Sequence, residues 1–258
     1  MAVDRITSQV TAIIKTFERP RSLDRLVRSI RRYSPRLKVI VGDDSVTAYP
    51  RADVDYVRLP VDIGLAAGRN ALLQLVDTPY FLVLDDDIAF TVGTRIERLV
   101  QTLERHDAAV VSGDLVDCER VFPLWTRRRR QTYHGVLRRE GDALQLIPGH
   151  DSIVGEAYQC DFTPQFFLAR TDEIRQLGGW FAPLKMDANQ ELFLRLKDEG
   201  LLVLHRMDVW AEHWQEEPLV YAAFRARDYA PIMASRHGLR RITDFAGNER
   251  EFELAEVA

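Results

Sequence analysis

Tyr80-Phe81-Leu82-Val83-Leu84 runs directly into Asp85-Asp86-Asp87. An unbroken apolar run of this length reads as a strand covered on both faces, the kind found in the middle of a parallel sheet. The three carboxylates stand where that strand leaves the core. Clustered carboxylates repel and raise one another's pKa unless a cation neutralises them. Extended backbone puts Asp85 and Asp87 on one side and Asp86 on the other, so the spacing predicts an Asp-x-Asp pair aimed at one point, with Asp86 turned away. Hard oxygen donors suit Mg²⁺ or Mn²⁺, which take one or two protein carboxylates and fill the rest of their shell from water and phosphate oxygens. The competing use of the same residues is a solvated acidic turn.

The flanking sequence sets this strand in an α/β pattern. Val10 to Ile14 is a first strand, and the loop Lys15-Thr16-Phe17-Glu18-Arg19-Pro20 leads to a helix with Ser22 as N-cap. Leu23, Leu26, Val27 and Ile30 give that helix one apolar face. Leu37 to Val41 closes a βαβ unit ending in Gly42-Asp43-Asp44-Ser45, and loops at such strand ends are where open α/β sheets bind ligands. A weaker strand over Val54 to Leu59 and a glycine-led helix over Gly64 to Leu75 precede the Tyr80 strand. After it come a helix through Ile96, Leu99, Val100 and Leu103 and a short strand over Ala108 to Ser112. From about Asp117 to Tyr158 periodicity fades and charge rises, which reads as an excursion over the sheet face with room for a hairpin. Order returns at the apolar stretch Phe162 to Ala169, followed by a helix capped at Thr171, a Gly178-Gly179-Trp180 break, a helix holding Glu191 to Leu196, a late strand from Leu201, and a tail helix from Pro218 to about His237 interrupted by Pro231.

Length and charge narrow the class. A chain of 258 residues suits one large α/β domain, and a net charge of −4 provides no general attraction to nucleic acid. Cys118 and Cys160 fit neither a metal spacing nor a disulfide framework, and no window is apolar enough for a signal peptide or a membrane span, so a cytoplasmic protein is expected. Arg127 to Arg130 read as a solvated loop, with an acceptor phosphate or an anionic membrane surface as the alternative partner.

The order of these features resembles the family-2-like glycosyltransferases of the GT-A fold, and within them the catalytic domain of the β-1,4-N-acetylgalactosaminyltransferases. The blocks that carry the resemblance are Lys15-Thr16-Phe17 with Arg19, Ser29 to Tyr33, Asp43-Asp44-Ser45, Ala67-Gly68-Arg69-Asn70, Asp85-Asp86-Asp87, Thr94 to Val100 and Phe166 to Asp172. The resemblance implies an α/β GT-A fold, with a Rossmann-like, mostly parallel central sheet flanked by helices and a smaller acceptor-side region. It also implies one domain over residues 1–258, divided into a nucleotide-binding half at about 8–115, an acceptor half at about 116–215 and a helical tail over 216–258. The family's membrane anchor and stem are not found, which suggests a stand-alone relative.

The implied activity is metal-dependent, inverting transfer of a sugar (GalNAc, GlcNAc, Gal or Glc) from a UDP-sugar to a hydroxyl of a carbohydrate or glycoconjugate, with Mn²⁺ or Mg²⁺ as cofactor. Asp87 is the expected metal ligand, joined by Asp85 and by His213 after the late strand. Thr16, Phe17 and Arg19 surround the nucleotide, Asp43 and Asp44 hold uracil and ribose, and Gly68, Arg69, Asn70, Asp85 and Asp86 complete the donor site. Asp161 and Trp180 line the donor-sugar or acceptor pocket. The segment Asp187-Ala188-Asn189-Gln190-Glu191-Leu192 carries Asn189 where the wider family has its catalytic Asp, and an amide is no base. Glu191 is therefore the expected base, with Asp187 in reserve.

Each residue has a structural alternative: an Asx turn for Asp43 and Asp44, an ion pair from Arg19 to one of them, bracing of the acidic loop by Arg69 and Asn70, and an exposed pairing of Glu191 with Arg195. His213, Asp161 and Trp180 can equally be packing or turn residues. Two other functions fit the same pattern, a sugar nucleotidyltransferase and a nucleotide-sugar binding module without catalysis.

Overall fold

The computed structural model describes residues 6–122, 125–186, 188–215 and 227–253. β1 (Val10–Thr16), α1 (Pro20–Tyr33), β2 (Lys38–Asp43), β3 (Asp55–Arg58), α2 (Leu65–Gln74), β4 (Tyr80–Asp85), the two-residue β5 (Ile88–Ala89) and α3 (Ile96–His106) form the first part. β6 (Val110–Phe122), β7 (Trp125–Arg130), β8 (Gly135–Glu140), β9 (Ala143–Pro148), β10 (Ser152–Val154) and β11 (Ala157–Cys160) follow. The chain continues through β12 (Phe166–Arg170), α4 (Thr171–Gln176), α5 (Ala188–Asp198), β13 (Val203–His213), α6 (Ala230–His237), β14 (Arg241–Thr243) and β15 (Glu249–Glu251).

One sheet of 11 strands runs through both parts in the order β10-β11-β13-β6-β12-β4-β1-β2-β3, with β5 on β13 and β7 on β6. β3, β2, β1 and β4 are mutually parallel. β12 lies antiparallel between β4 and β6, and β13 pairs parallel with β6 across a bulge between Arg206 and Trp210. β15, β14, β9 and β8 form a separate four-stranded sheet.

Strand alternation divides the core between the two faces of the large sheet. Ala12 and Ile14 of β1 and Leu82 and Leu84 of β4 pack with Leu26 and Ile30 of α1 and Leu99 and Leu103 of α3. Ile13, Phe81 and Val83 pack on the other face with Leu72 of α2 and Leu192 and Phe193 of α5. All of these side chains are essentially buried, which gives a three-layer sandwich held by apolar burial on both sides of β4. The register brings Lys15 beside both Gly42 and Asp85, so the first loop, the Asp43 loop and the acidic turn leave the sheet along one edge.

Several local expectations change. α1 begins at Pro20, not at a Ser22 cap, because proline fits the first turn where no N–H partner is needed; Ser22 is buried inside the helix. α4 likewise starts at Thr171, whose hydroxyl donates to Thr78 O at 2.8 Å instead of capping the helix. Pro231 opens α6 where an interruption was expected, and the preceding stretch 216–226 lies outside the described residues. The expected excursion after Asp117 is ordered strand: β6 continues to Phe122 and β7 returns against it. Its alternation is hidden because β7 is an edge strand exposed on both faces, and charge on such an edge discourages pairing with other chains. Three of its four arginines are committed, Arg127 to Glu119, Arg128 to Glu212 and Arg130 to Asp114. Among the described residues no helix is long and apolar enough to cross a membrane.

Candidate active site

Asp85 is the last residue of β4, and its odd position directs it to the α2 and α5 face. There it accepts from Arg69 Nη2 at 2.7 Å. The same guanidinium donates through Nη1 to Gln165 Oε1 at 2.7 Å and Asn189 Oδ1 at 2.6 Å, and lies 5.6 Å from the Trp180 ring centroid. Asp86 and Asp87 occupy a turn after the strand, so alternation stops at Asp85 and the expectation that Asp86 turns away fails. Asp86 accepts from Thr16 Oγ1 at 2.6 Å and pairs with Arg19 Nη1 at 3.0 Å. Asp87 Oδ2 accepts from Arg19 Nη2 at 2.5 Å and lies 3.5 Å from His213 Nε2. His213 sits in β13 between Ile88 of β5 and Asp117 of β6, and its Nδ1 is 2.8 Å from Asp117 Oδ1.

The electrostatics separate the three carboxyls. Burial, reinforced by the charge of Asp87, pushes Asp86 up to about 7 although Arg19 opposes it, and burial also raises Asp85 against the pull of Arg69. Burial favours the neutral acid at Asp87 too, but the His213 hydrogen bond and the Arg19 charge outweigh it and hold it at about 2. Burial likewise opposes charge on His213, and there Asp87 and Asp117 prevail and bring it up to about 9.

These groups border a cavity of about 570 Å³. Lys15 of β1, Phe17 and Arg19 of the loop that follows it, and Asp85, Asp86 and Asp87 line it. Tyr133, Gln165, Asn189, Gln190, Phe193 and His213 line it as well. Among the described residues no group of three or more His, Cys, Asp or Glu side chains can hold an ion unaided. Asp87 Oδ1, however, is buried without a hydrogen-bond partner beside His213. That donor set, one carboxylate oxygen and one imidazole, fits a cation that completes its shell with ligand oxygens and water.

Other expected residues stand back from the cavity. Asp43 is enclosed: its carboxylate accepts from Ser45 N at 2.9 Å, Tyr49 N at 2.9 Å and Tyr56 OH at 2.8 Å, an Asx turn. Those bonds bring its pKa below the usual value in spite of burial. Asp44 pairs with Lys15 Nζ at 2.6 Å, so it is Lys15, not either aspartate, that reaches the cavity. Gly68 has a packing reason, since a Cβ there would lie 2.9 Å from Lys15 Cγ. Asn70 pins the Gly-Gly-Trp turn, donating to Trp180 O at 2.7 Å and accepting from Trp180 N at 2.8 Å. A Cβ at Gly179, whose φ is +67°, would collide with Asn70 Oδ1. Trp180 is buried beneath the site and donates from Nε1 to Asn189 Oδ1 at 3.1 Å.

Two assignments are displaced. Asp161 pairs with Lys197 Nζ at 2.6 Å and accepts from Leu137 N at 2.7 Å, away from the cavity that its neighbours Phe162 to Gln165 line. Glu191 is fully buried on the far face of α5, bound by Arg195 Nε and Nη2 at 2.8 Å each, by Arg236 Nε at 3.0 Å, and 3.4 Å from His237 Nε2. Burial would raise its pKa, but these partners lower it to about 2, so neither position nor basicity suits proton abstraction from a bound hydroxyl. Asp187 lies outside the described residues. The site also contains residues not singled out from sequence as functional: Lys15, Asp117, Tyr133 and Gln165. Only the strand register reveals Asp117, because its partner is 96 positions away.

Residues 11–159 match the family described as Glycosyl transferase family 2. The chain is 37% identical over 202 residues to Beta-1,4 N-acetylgalactosaminyltransferase 1 of Homo sapiens, a match covering 73% of this chain and 36% of the relative. It is 36% identical over 197 residues to Beta-1,4 N-acetylgalactosaminyltransferase 2 of Mus musculus, covering 74% of this chain and 36% of that protein. The chain belongs to glycosyltransferase family 2. This family 2 chain spans about a third of the length of the curated relatives it matches. Its fold is that of GT-A glycosyltransferases: the crystal structure of GalNAc-T7 with UDP, GalNAc and Mn²⁺ superposes with a TM-score of 0.66 at 15% identity, over 88% of this chain and 50% of that one. The S. aureus TarS structure with UDP-GlcNAc superposes at 0.60 with 13% identity, over 83% of this chain and 60% of that one.

Proposed function

We propose that this family 2 domain transfers a sugar from a UDP-sugar, GalNAc first among the candidates, to an acceptor hydroxyl by direct displacement with inversion. The observation that carries the reading is the convergence of Asp85, Asp86, Asp87, His213, Lys15 and Arg19 on one cavity at the carboxyl edge of the sheet. Asp87 and His213 would hold Mn²⁺ or Mg²⁺, which supplies Lewis-acid stabilisation of the departing diphosphate. Lys15 and Arg19 place positive charge along the path of the phosphates, and Phe17 gives the nucleotide an apolar face. Arg69 fixes Asp85 against Gln165 and Asn189, so the donor-side carboxylate does not wander. Asp43 and Asp44 act through the loop they organise, Asp44 by holding Lys15. With Glu191 enclosed, the base assignment passes on sequence grounds to Asp187. The free, buried Cys118 and Cys160 are compatible with a reducing, cytoplasmic setting.

Thermal unfolding with UDP, with Mn²⁺ and with both tests the nucleotide half. A ligand at a hundred times its Kd adds about 2.7 kcal/mol, and stabilisation by UDP only when Mn²⁺ is present is the expected result. Equal stabilisation by ADP or GDP would remove the uridine assignment. One observation favours a second reading, a nucleotide-sugar binding module: Asn189 holds the usual base position with its carbonyl oxygen occupied by Arg69 and Trp180. UDP release from UDP-GalNAc in the presence of an acceptor, abolished by Asp187→Asn, supports the transferase; binding without turnover across an acceptor panel supports the module. Pyrophosphate release would point instead to nucleotidyl transfer.

A further inference from the structure

Asp117 is no part of the acidic turn and stands on a strand from the middle of the chain, yet four side chains meet there. His213 Nδ1 lies 2.8 Å from its Oδ1, and the Tyr133 hydroxyl donates to both carboxylate oxygens at 2.8 Å. Gln131 Nε2 donates to Oδ2. The Tyr133 ring stands edge-on to the imidazole, 5.9 Å between centroids at 88°, so His213 is gripped both at one nitrogen and at its face. The backbone enforces the arrangement, because Asp117 and His213 are register partners in the β6–β13 pairing while His213 is also paired with Ile88, the residue after Asp87. Register partners project to the same face of a sheet.

We propose that Asp117 is a positioning residue for the metal site: it holds the proton of His213 on Nδ1 and so keeps the lone pair of Nε2 directed at the position beside Asp87. The inference rests on the reading of His213 and Asp87 as the ion's protein ligands. The logic is one of donors and acceptors. A neutral imidazole binds a cation only through the nitrogen that lacks a proton, and the hydrogen bond at its other nitrogen decides which one that is. Tyr133 and Gln131 both donate to Asp117, so its oxygens serve as acceptors and Nδ1 is the donor. Nε2, 3.5 Å from Asp87 Oδ2 on the cavity wall, is then the nitrogen a cation takes, in place of the proton it shares with Asp87. Tyr133 contributes by restraining the carboxylate from rotating away.

The test is Mn²⁺ affinity in the presence of UDP, read from the electron paramagnetic resonance signal of free Mn²⁺, with no turnover required. Asp117→Ala is expected to weaken Mn²⁺ binding by about 10- to 100-fold, as does loss of the partner that orients a ligating histidine elsewhere. Asp117→Asn, which still offers a carbonyl acceptor to Nδ1, is expected closer to wild type than the alanine variant, and Tyr133→Phe to weaken binding to a smaller degree. A purely structural role would not give that rescue. His213→Ala with wild-type Mn²⁺ affinity would overturn the ligand assignment and the inference together. His213→Ala weakened, with Asp117→Ala and Tyr133→Phe both at wild-type affinity, would overturn the inference alone. Should Asp117→Ala fail to fold, Tyr133→Phe and Asp117→Asn decide: a loss in the first that exceeds that in the second supports a grip on the imidazole through an acceptor, and wild-type affinity in both removes it.

Discussion

Asp87 and Glu191 are built from the same parts and do opposite things. Each is a buried carboxylate among arginine and histidine, Asp87 with Arg19 and His213, Glu191 with Arg195, Arg236 and His237, and each is held at about 2 by those partners against burial. At Asp87 one oxygen is left without a hydrogen-bond partner beside an open cavity. At Glu191 the surrounding cations close over the group, which is fully buried and is not among the residues that line that cavity. Charge composition and pKa therefore do not distinguish a working carboxylate from a fastening one. Access and an uncommitted lone pair do.

Substitution should separate the two most sharply through function. Asp87→Asn is expected to abolish Mn²⁺-dependent UDP binding and to lower turnover by at least about 10²–10³, the scale of losing one preorganised electrostatic contact, in a radiolabelled-sugar transfer assay. Glu191→Gln should retain UDP and Mn²⁺ binding while losing about 2 kcal/mol in urea unfolding, because it weakens the charged hydrogen bonds from the half-buried Arg195 and the exposed Arg236. The opposite pattern, binding lost at Glu191 and stability lost at Asp87, would invert the comparison.

The pH dependence of stability sharpens it further. Glu191 lies below its ordinary value, so its contribution is complete above about 4.5 and is lost as pH falls through about 2. His213 lies above its ordinary value, so its contribution is complete below about 6.5 and is lost as pH rises through about 9. Melting temperatures across pH should show an acid limb that Glu191→Gln flattens and an alkaline limb that His213→Gln flattens. An acid limb unchanged in Glu191→Gln would mean that the cluster around it contributes nothing to acid stability.

The large features of this arrangement can be read in the chain because they are local. The apolar run before Asp85 specifies a central strand, and the spacing of Leu23, Leu26, Val27 and Ile30 specifies the helix that covers it. The failures share a cause in distance along the chain or in the loss of a repeating pattern. Asp86 was placed by alternation that ends one residue earlier. Glu191 sits two positions after Asn189, which is just over a half-turn around α5, and what it meets there is α6, some 45 residues on. Asp161 finds Lys197 at a separation of 36. β7 carries no apolar face to betray it, since all of its residues are exposed.

Arg69 joins segments 96 and 120 residues apart through its bonds to Gln165 and Asn189. A chain emerging from the ribosome displays its three aspartates long before the residues that enclose them have been made. Closing loops of that length is slow relative to local helix formation, so the helices that flank the sheet can form early and the binding chamber last. Variants that weaken Arg69 should accordingly reveal themselves in the final phase of refolding, as a nearly complete protein that has not yet acquired its capacity to bind.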